Sequence, residues 1–173
     1  MAGPCDLCAA RCCREYVISI TSFDALRIID ATSRQFEDFA QLAPPRILNL
    51  DNDTVLECEE TGIREEYALS LKSHPCIFLK DGKCAIHEFA PLVCACYPCN
   101  SASRIIPGAR CPIISKSAFM LFGTNGNTKE YKEQLQIYKK LVSKWNSRRG
   151  SREGCIAFLL EESKKIQKSR IPE

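Results

Sequence analysis

The distribution of cysteine constrains this chain more than any other feature of its sequence. Twelve of the 173 residues are cysteine. A buried free cysteine is only a small hydrophobic side chain that alanine or valine can replace, so packing does not explain dense clusters. Clustered thiols instead favour a metal ion, an iron–sulfur cluster, redox chemistry or disulfides. The clustered residues are Cys5, Cys8, Cys12 and Cys13 in a first block and Cys76, Cys84, Cys94, Cys96, Cys99 and Cys111 in a second.

Composition narrows the kind of metal that such a chain can hold. The sequence contains only 2 histidines, so a bound metal would be held mainly by sulfur. Sulfur ligands favour zinc or an iron–sulfur cluster, with Cu(I) as a third choice. The amino terminus shows no basic segment followed by an apolar stretch, and we expect a cytoplasmic protein. A reducing cytoplasm disfavours disulfides, although hyperthermophile proteins are an exception that keeps a disulfide-hardened protein as an alternative.

Charge is distributed unevenly along the chain. Residues 1–100 carry 9 Lys and Arg against 15 Asp and Glu, whereas residues 101–173 carry 15 against 6. The basic carboxyl-terminal region either forms a solvated helix face or meets an acidic protein partner. No basic patch interleaved with aromatic residues indicates nucleic-acid binding. No stretch approaches 18 apolar residues, so we expect no membrane span.

The sequence before the second block predicts helices and strands in a mixed order. Thr21 or Ser22 caps a helix with Asp24 in its first turn, where the helix dipole favours an anion. A second short helix is predicted over 33–42 and ends at the following prolines. Weakly alternating residues over 47–73 predict one or two strands.

The second block itself predicts a β-hairpin that carries thiols. Asp81 and Gly82 are typical of a tight hairpin turn, with Cys76 and Cys84 on or near its two arms. A helical turn around Pro91 would return Cys94 towards the hairpin. Two helices follow, a long one capped by Thr128 and a last one over 152–168. We therefore predict an α+β fold: a small antiparallel sheet with a cysteine-rich metal knuckle, flanking helices and a carboxyl-terminal helical pair.

The thiols differ in what their spacing allows. Two cysteines separated by two residues, as at positions 5 and 8, can point at one metal from a tight loop. Neighbouring thiolates repel one another, and a cation or oxidation relieves that repulsion. Cys58 and Cys155 stand alone, and Cys155 is expected to be a packed core residue. We expect His87, and more weakly His74, to be surface groups or to support a ligand rather than bind the metal.

Two stretches together resemble a known family. The first is CDLCAARCCR at residues 5–14, and the second is CIFLKDGKCAIHEFAPLVCACYP at residues 76–98, with a later Cys-Pro at 111–112. They resemble the YkgJ-type cysteine-cluster family, a zinc- or iron-chelating domain whose cysteine region is shared with flagellin lysine N-methylases. The chain departs from that family in having alanine at positions 90 and 95, where arginine is usual.

The resemblance implies metal chelation through about eight cysteines, here Cys5, Cys8, Cys12, Cys13, Cys76, Cys84, Cys94 and Cys111, with Cys96 and Cys99 as additions. The expected cofactor is an iron–sulfur cluster or zinc, and we favour a [4Fe–4S] cluster, because an all-sulfur set with proline close behind the ligands suits iron–sulfur sites. An electron-transfer, accessory or structural role follows. The alternative is a cluster-dependent enzyme of the lysine N-methylase type. The expected domains are a cysteine-cluster, metal-binding domain at 1–112 and a helical region at 113–173 that packs on it.

Overall fold

The computed structural model describes residues 10–47, 52–109, 111 and 127–169. Its α-helices are α1 (Arg11–Glu15), α2 (Ser22–Thr32), α3 (Phe36–Phe39), α4 (Leu92–Cys96), α5 (Asn127–Arg148) and α6 (Arg152–Lys168). Its strands are β1 (Ala40–Ala43), β2 (Leu56–Glu60), β3 (Ile63–Leu71), β4 (Leu79–Lys80) and β5 (Lys83–Cys84). Short 3₁₀ helices cover Pro45–Ile47, Asn52–Thr54 and His87–Phe89.

Helix α2 begins at the predicted cap. The Thr21 side chain accepts a hydrogen bond from the Asp24 backbone N–H, and the Asp24 carboxylate accepts one from the Thr21 backbone N–H. This reciprocal pair satisfies two N–H groups that the first turn of a helix would leave free. The buried face of α2 includes Phe23, Leu26 and Ile28.

The three-stranded sheet has the order β1–β3–β2, and both pairings are antiparallel. The second half of β3 is buried, whereas its first half is exposed. Residues 18–20 also bond to the buried end of β3, through Ile20 N–H to Leu69 O and Leu71 N–H to Ile18 O, both 2.9 Å. The sheet therefore ties the segment after the first cysteine block to the centre of the protein.

The predicted second helix is wrong in its second half. Helix α3 covers only Phe36–Phe39, and the next four residues form β1, where Ala40 pairs with Leu71 and Ala43 with Ala68. Pairing with a strand distant in the sequence outweighs the local preference of these residues for helix. The one or two strands predicted over 47–73 are found as two, β2 and β3.

The predicted hairpin is confirmed as β4 and β5. Asp81 and Gly82 both have positive φ, 48° and 75°, as the tight turn requires. The expected helical turn around Pro91 is divided between the 3₁₀ helix His87–Phe89 and α4, whose N-cap is Pro91.

The carboxyl-terminal helical pair is confirmed, and with it the α+β fold. Helix α6 spans the predicted residues, with the Ser151 hydroxyl accepting from the Gly154 N–H at 3.2 Å. Helix α5 begins one residue before Thr128, which therefore lies inside the helix rather than at its cap. The two helices pack on α2 and β2. The division of the chain at residue 112 stays a prediction.

Two apolar clusters result from this arrangement. The cluster beside the second cysteine block contains Ile28, Phe39 and Phe78 and also buries Cys13 and Cys76. The other is formed by β2, α5 and α6 around side chains that include Leu56, Tyr138, Trp145, Cys155 and Leu159. None of the described helices is long and apolar enough to cross a membrane.

Candidate metal centre

Helix α1 carries the described part of the first cysteine block. Ala10 lies before it with a left-handed backbone, φ 52°, and Tyr16 N–H closes it on Cys12 O at 3.1 Å. Cys13 points into the protein and is buried, whereas Cys12 is partly exposed. The predicted ligands Cys5 and Cys8 lie outside the described residues.

The two cysteine blocks meet through Cys13 and Cys76. The Cys76 N–H donates to Cys13 O at 2.7 Å. The Cys13 thiol is also hydrogen-bonded to the thiols of Cys12 and Cys76. Three sulfurs from two distant parts of the sequence are therefore in contact.

The hairpin places a fourth thiol beside these three. Cys84 ends β5 opposite Leu79, and Leu79 N–H bonds to Cys76 O at 2.9 Å. The arm of β4 is thereby fixed to the turn that carries Cys76. Cys84 is partly buried, and it lies close enough to Cys76 and Cys12 for their negative charges to raise its pKa.

Helix α4 supplies a fifth thiol, and a buried carboxylate holds the start of this helix. Asp24 is 1% exposed, and its Oδ1 accepts from the Leu92 N–H at 3.0 Å. The Cys94 N–H donates to Pro91 O at 2.8 Å. The sequence predicts Asp24 in the first turn of α2 but gives no sign that it also contacts α4. That contact connects two segments far apart in the chain, and no local pattern encodes it.

Arg27 completes the support beneath α4. Its Nη1 donates to Asp24 Oδ1 at 3.0 Å and to Ala90 O at 3.4 Å, and its Nη2 donates to Gln134 Oε1 at 3.0 Å. The guanidinium therefore links α2, the turn before α4 and α5. Sequence reasoning missed this residue, because arginine on a helix surface is ordinary.

The contacts among the thiols separate their pKa values. Hydrogen bonds from Cys13 lower the pKa of Cys12 and of Cys76 to about 7, and the same bonds raise the pKa of Cys13. Burial, followed by the negative charges of the neighbouring thiols, raises the pKa of Cys84 and raises that of Cys94 further. Five thiolates cannot coexist here without a compensating positive charge.

The remaining predicted ligands are placed less closely to this group. Cys96 and Cys99 are buried next to each other, joined by a Cys99 N–H to Cys96 O bond of 2.8 Å. Burial and the charge of Cys99 raise the pKa of Cys96 to about 11. Cys111 is partly buried between neighbours that the structure does not describe. A ligand role for these three residues stays a prediction.

Two cysteines expected to stand alone are in fact neighbours. The thiols of Cys58 and Cys155 are hydrogen-bonded to each other in the second apolar cluster. The expectation that Cys155 is a packed core residue is confirmed, because it is 0% exposed. Both histidines, His74 and His87, are exposed.

The donor set fits a metal that prefers sulfur. Within residues 10–47, 52–109, 111 and 127–169, no three His, Cys, Asp or Glu side chains are arranged to hold a metal ion. The group formed by Cys12, Cys13, Cys76, Cys84 and Cys94 is nevertheless linked by hydrogen bonds and mutual charge, and a bound cation would relieve its repulsion. We call these five residues the thiol group.

Comparisons with known proteins agree with this chemistry. No curated protein and no solved structure was found to match the chain. A family model described as "CxxCxxCC: Putative zinc- or iron-chelating domain" matches residues 4–112, which include both cysteine blocks and agree with the predicted resemblance over 5–112. The match supports metal binding by the cysteines, and the relation to flagellin lysine N-methylases stays a prediction. Because the model covers well over half of the sequence, the chain belongs to the CxxCxxCC family of zinc- or iron-chelating domains.

Proposed function

We propose that this protein binds a [4Fe–4S] cluster or a zinc ion through the thiol group, with Cys5, Cys8 and Cys111 completing the ligand set. The observation that carries the proposal is the contact between the cysteine blocks, in which the Cys13 thiol bonds to both Cys12 and Cys76. Convergence of several thiols from both ends of the matched region is the arrangement that a shared metal ligand set requires.

Electrostatics supports a bound cation at this place. Cys12 and Cys76 lose their protons most easily, and their charges oppose the ionisation of Cys84 and Cys94. A divalent metal or an iron–sulfur core reverses that penalty, because each thiolate then faces positive charge. The protein contributes the directions of the sulfurs, which α1, the hairpin and α4 fix.

We favour the iron–sulfur cluster over zinc. All the ligands we propose are thiols, and prolines follow closely behind two members of the second block, at positions 98 and 112. Iron–sulfur sites use thiolates together with backbone N–H donors and shielding from water. Burial of Cys13 and Cys76, with Cys94 half-buried, is consistent with such shielding. When bound, a cluster of this kind supplies one-electron redox chemistry, and zinc supplies a structural crosslink.

The proposed role is electron transfer or the structural support of a partner protein in the cytoplasm. The basic helices α5 and α6 are the proposed contact surface for an acidic partner. Lys132, Lys139 and Lys140 line a groove on α5 together with Asp53 and Ser101, and Lys139 pairs with Asp53 at 3.4 Å. A cationic groove of this kind favours an anionic surface.

The test is metal analysis of protein purified without oxygen. We expect iron and acid-labile sulfide in stoichiometric amounts, with visible absorption from thiolate-to-iron charge transfer. A colourless protein with stoichiometric zinc would exclude the cluster and keep metal binding. A protein that holds neither metal after reconstitution with iron, sulfide or zinc would refute the proposal altogether.

Variants locate the site. Cys76→Ser and Cys94→Ser should each lose most of the bound metal, because each removes a thiolate that its alcohol replacement cannot match for a soft metal. Cys155→Ala is the control, since it removes a fully buried thiol in the other apolar cluster and should keep its full metal content. Equal metal loss in all three variants would mean that the effect is one of folding and not of ligation.

A further inference from the structure

The buried pair Cys58 and Cys155 lies apart from the thiol group. Cys58 is on β2 and Cys155 is on α6, and the side chains are 2% and 0% exposed. Their thiols are in direct hydrogen-bond contact. Both belong to the cluster formed by β2, α5 and α6, whereas Cys13 and Cys76 belong to the other apolar cluster.

The surrounding contacts hold the two backbones at a fixed separation. Glu59 N–H, next to Cys58, donates to Gly150 O at 2.9 Å. Arg152 contacts the next residue, Glu60, through Nε at 3.1 Å and Nη2 at 2.9 Å. These bonds dock the start of α6 on the end of β2, one and two residues after Cys58 and a few residues before Cys155, and so keep the two cysteines facing each other.

We propose that Cys58 and Cys155 are a redox site that forms a reversible disulfide and fastens α6 to β2. The oxidant is a hydroperoxide, which is small enough to enter a core that larger disulfide reagents cannot reach. The Cys58 thiolate attacks the terminal peroxide oxygen, giving a sulfenic acid and releasing water or an alcohol. The Cys155 thiol then attacks the Cys58 sulfur, and the hydroxyl leaves as water with the Cys155 proton, so two thiols and one peroxide yield one disulfide.

The surroundings of the two thiols determine which one attacks the peroxide and which one resolves the sulfenic acid. The bond from Cys155 lowers the pKa of Cys58, with further help from the indole of Trp145 and the charge of Arg152. The same bond and burial raise the pKa of Cys155. Cys58 is therefore the attacking sulfur, and Cys155 is the sulfur that resolves the sulfenic acid.

Trypsin provides a direct assay, because each cysteine falls on a peptide that contains no other. Cleavage after Arg46 and Arg64 releases residues 47–64 with Cys58, and cleavage after Arg152 and Lys164 releases residues 153–164 with Cys155. The folded protein is treated with hydrogen peroxide, alkylated in denaturant and digested without reduction. We expect these two peptides joined as the main product at both sites, with the mass of two hydrogens lost, and separated again by dithiothreitol.

Three further readouts distinguish a disulfide within the folded protein from random oxidation. Trp145 is the only tryptophan and lies beside Cys58, so its fluorescence should fall on oxidation and recover on reduction. In Cys155→Ala, Cys58 has no resolving partner and should instead gain two oxygens as the sulfinic acid. The melting temperature of the wild-type protein should rise on oxidation and return on reduction.

Three results would overturn the proposal. One is quantitative alkylation of both cysteines after peroxide treatment, including treatment just below the melting temperature, where local opening is frequent. Another is linkage of either peptide mainly to cysteines of the thiol group. The third is a lower melting temperature in the oxidised protein. The peptide mapping is independent of whether the thiol group holds a metal, and the melting temperatures are compared at equal metal content.

Discussion

Replacing Asp24 by asparagine removes one of the two carboxylate oxygens that connect α2, Arg27 and the start of α4. Oδ2 accepts from the Thr21 N–H at 2.9 Å and from its hydroxyl at 2.7 Å, and Oδ1 accepts from the Leu92 N–H and Arg27 Nη1, both at 3.0 Å. The amide of asparagine can keep one oxygen, but its NH₂ then faces two donors. At 1% exposure, no bulk water can replace the lost acceptor.

The expected cost follows from these four bonds. A hydrogen bond to a charged group contributes about 1.5–3 kcal/mol, and a buried donor left without an acceptor costs a similar amount. Arg27 keeps Gln134 and Ala90 O as acceptors, so losing its bond to Asp24 costs an amount at the low end of this range. We expect Asp24→Asn to lower the free energy of unfolding by about 3 kcal/mol, which is a large share of a typical domain's stability.

Asp38→Asn is the matched control. Asp38 also stands at the third position of a helix and accepts from the Gln35 N–H at 2.9 Å, but it is exposed. Water can replace that bond, so this variant should lose less than about 1 kcal/mol. Urea unfolding followed by circular dichroism, at equal metal content, measures both. Equal losses in the two variants would refute the inference that the buried contact with α4 sets the cost.

A second readout connects this carboxylate to the candidate site. Loss of the bond to Leu92 N–H should loosen α4 and with it Cys94. In metal-free protein, alkylation of Cys94 should therefore be faster in Asp24→Asn than in Asp38→Asn. The same rate in both would mean that α4 is held in place by its other contacts alone.

Two further predictions concern the protons and the packing of the protein. Zinc added to reduced, metal-free protein should release protons, because Cys13, Cys84 and Cys94 have raised pKa values. More protons should be released below pH 7, where Cys12 and Cys76 are also protonated. Calorimetry in buffers of different ionisation enthalpy counts the released protons, and a count that does not change with pH would contradict the prediction. Tyr138→Phe should stabilise the protein by about 1 kcal/mol in urea unfolding, because the Tyr138 hydroxyl is buried with no hydrogen-bond partner among the described residues. Tyr67→Phe, which removes a hydroxyl that donates to Glu65, should give no such gain, and a clear loss in Tyr138→Phe would reveal a partner for that hydroxyl.

Local sequence patterns were sufficient for the elements that local chemistry controls. The Asp81-Gly82 turn, the cap formed by Thr21 and Asp24, and the start of α6 after Ser151 each depend on residues a few positions apart. Cysteine spacing likewise indicated the family and the candidate metal ligands. These features could be predicted because the residues whose interactions stabilise them lie close together in the sequence.

Long-range contacts could not be predicted in this way. Residues 40–43 become strand β1 because β3 offers a free edge, which no property of the short segment reveals. Leu92 meets Asp24, and Cys58 meets Cys155, only after the helices have packed against the sheet. In each case the partner lies far along the chain, so pattern reasoning can identify the residue but not its contact.

The fold separates its cysteines into groups with different chemistry. In the thiol group, several partly exposed or shallowly buried sulfurs come close to one another, and their shared negative charge must be neutralised from outside. In the pair at positions 58 and 155, two sulfurs lie in an apolar core. Among the residues that the structure describes, no third metal ligand is arranged beside them, and oxidation to a disulfide removes both ionisable thiols at once. A chelator should therefore act on the first group and leave the second unchanged, because the two lie in different apolar clusters with no shared cysteine.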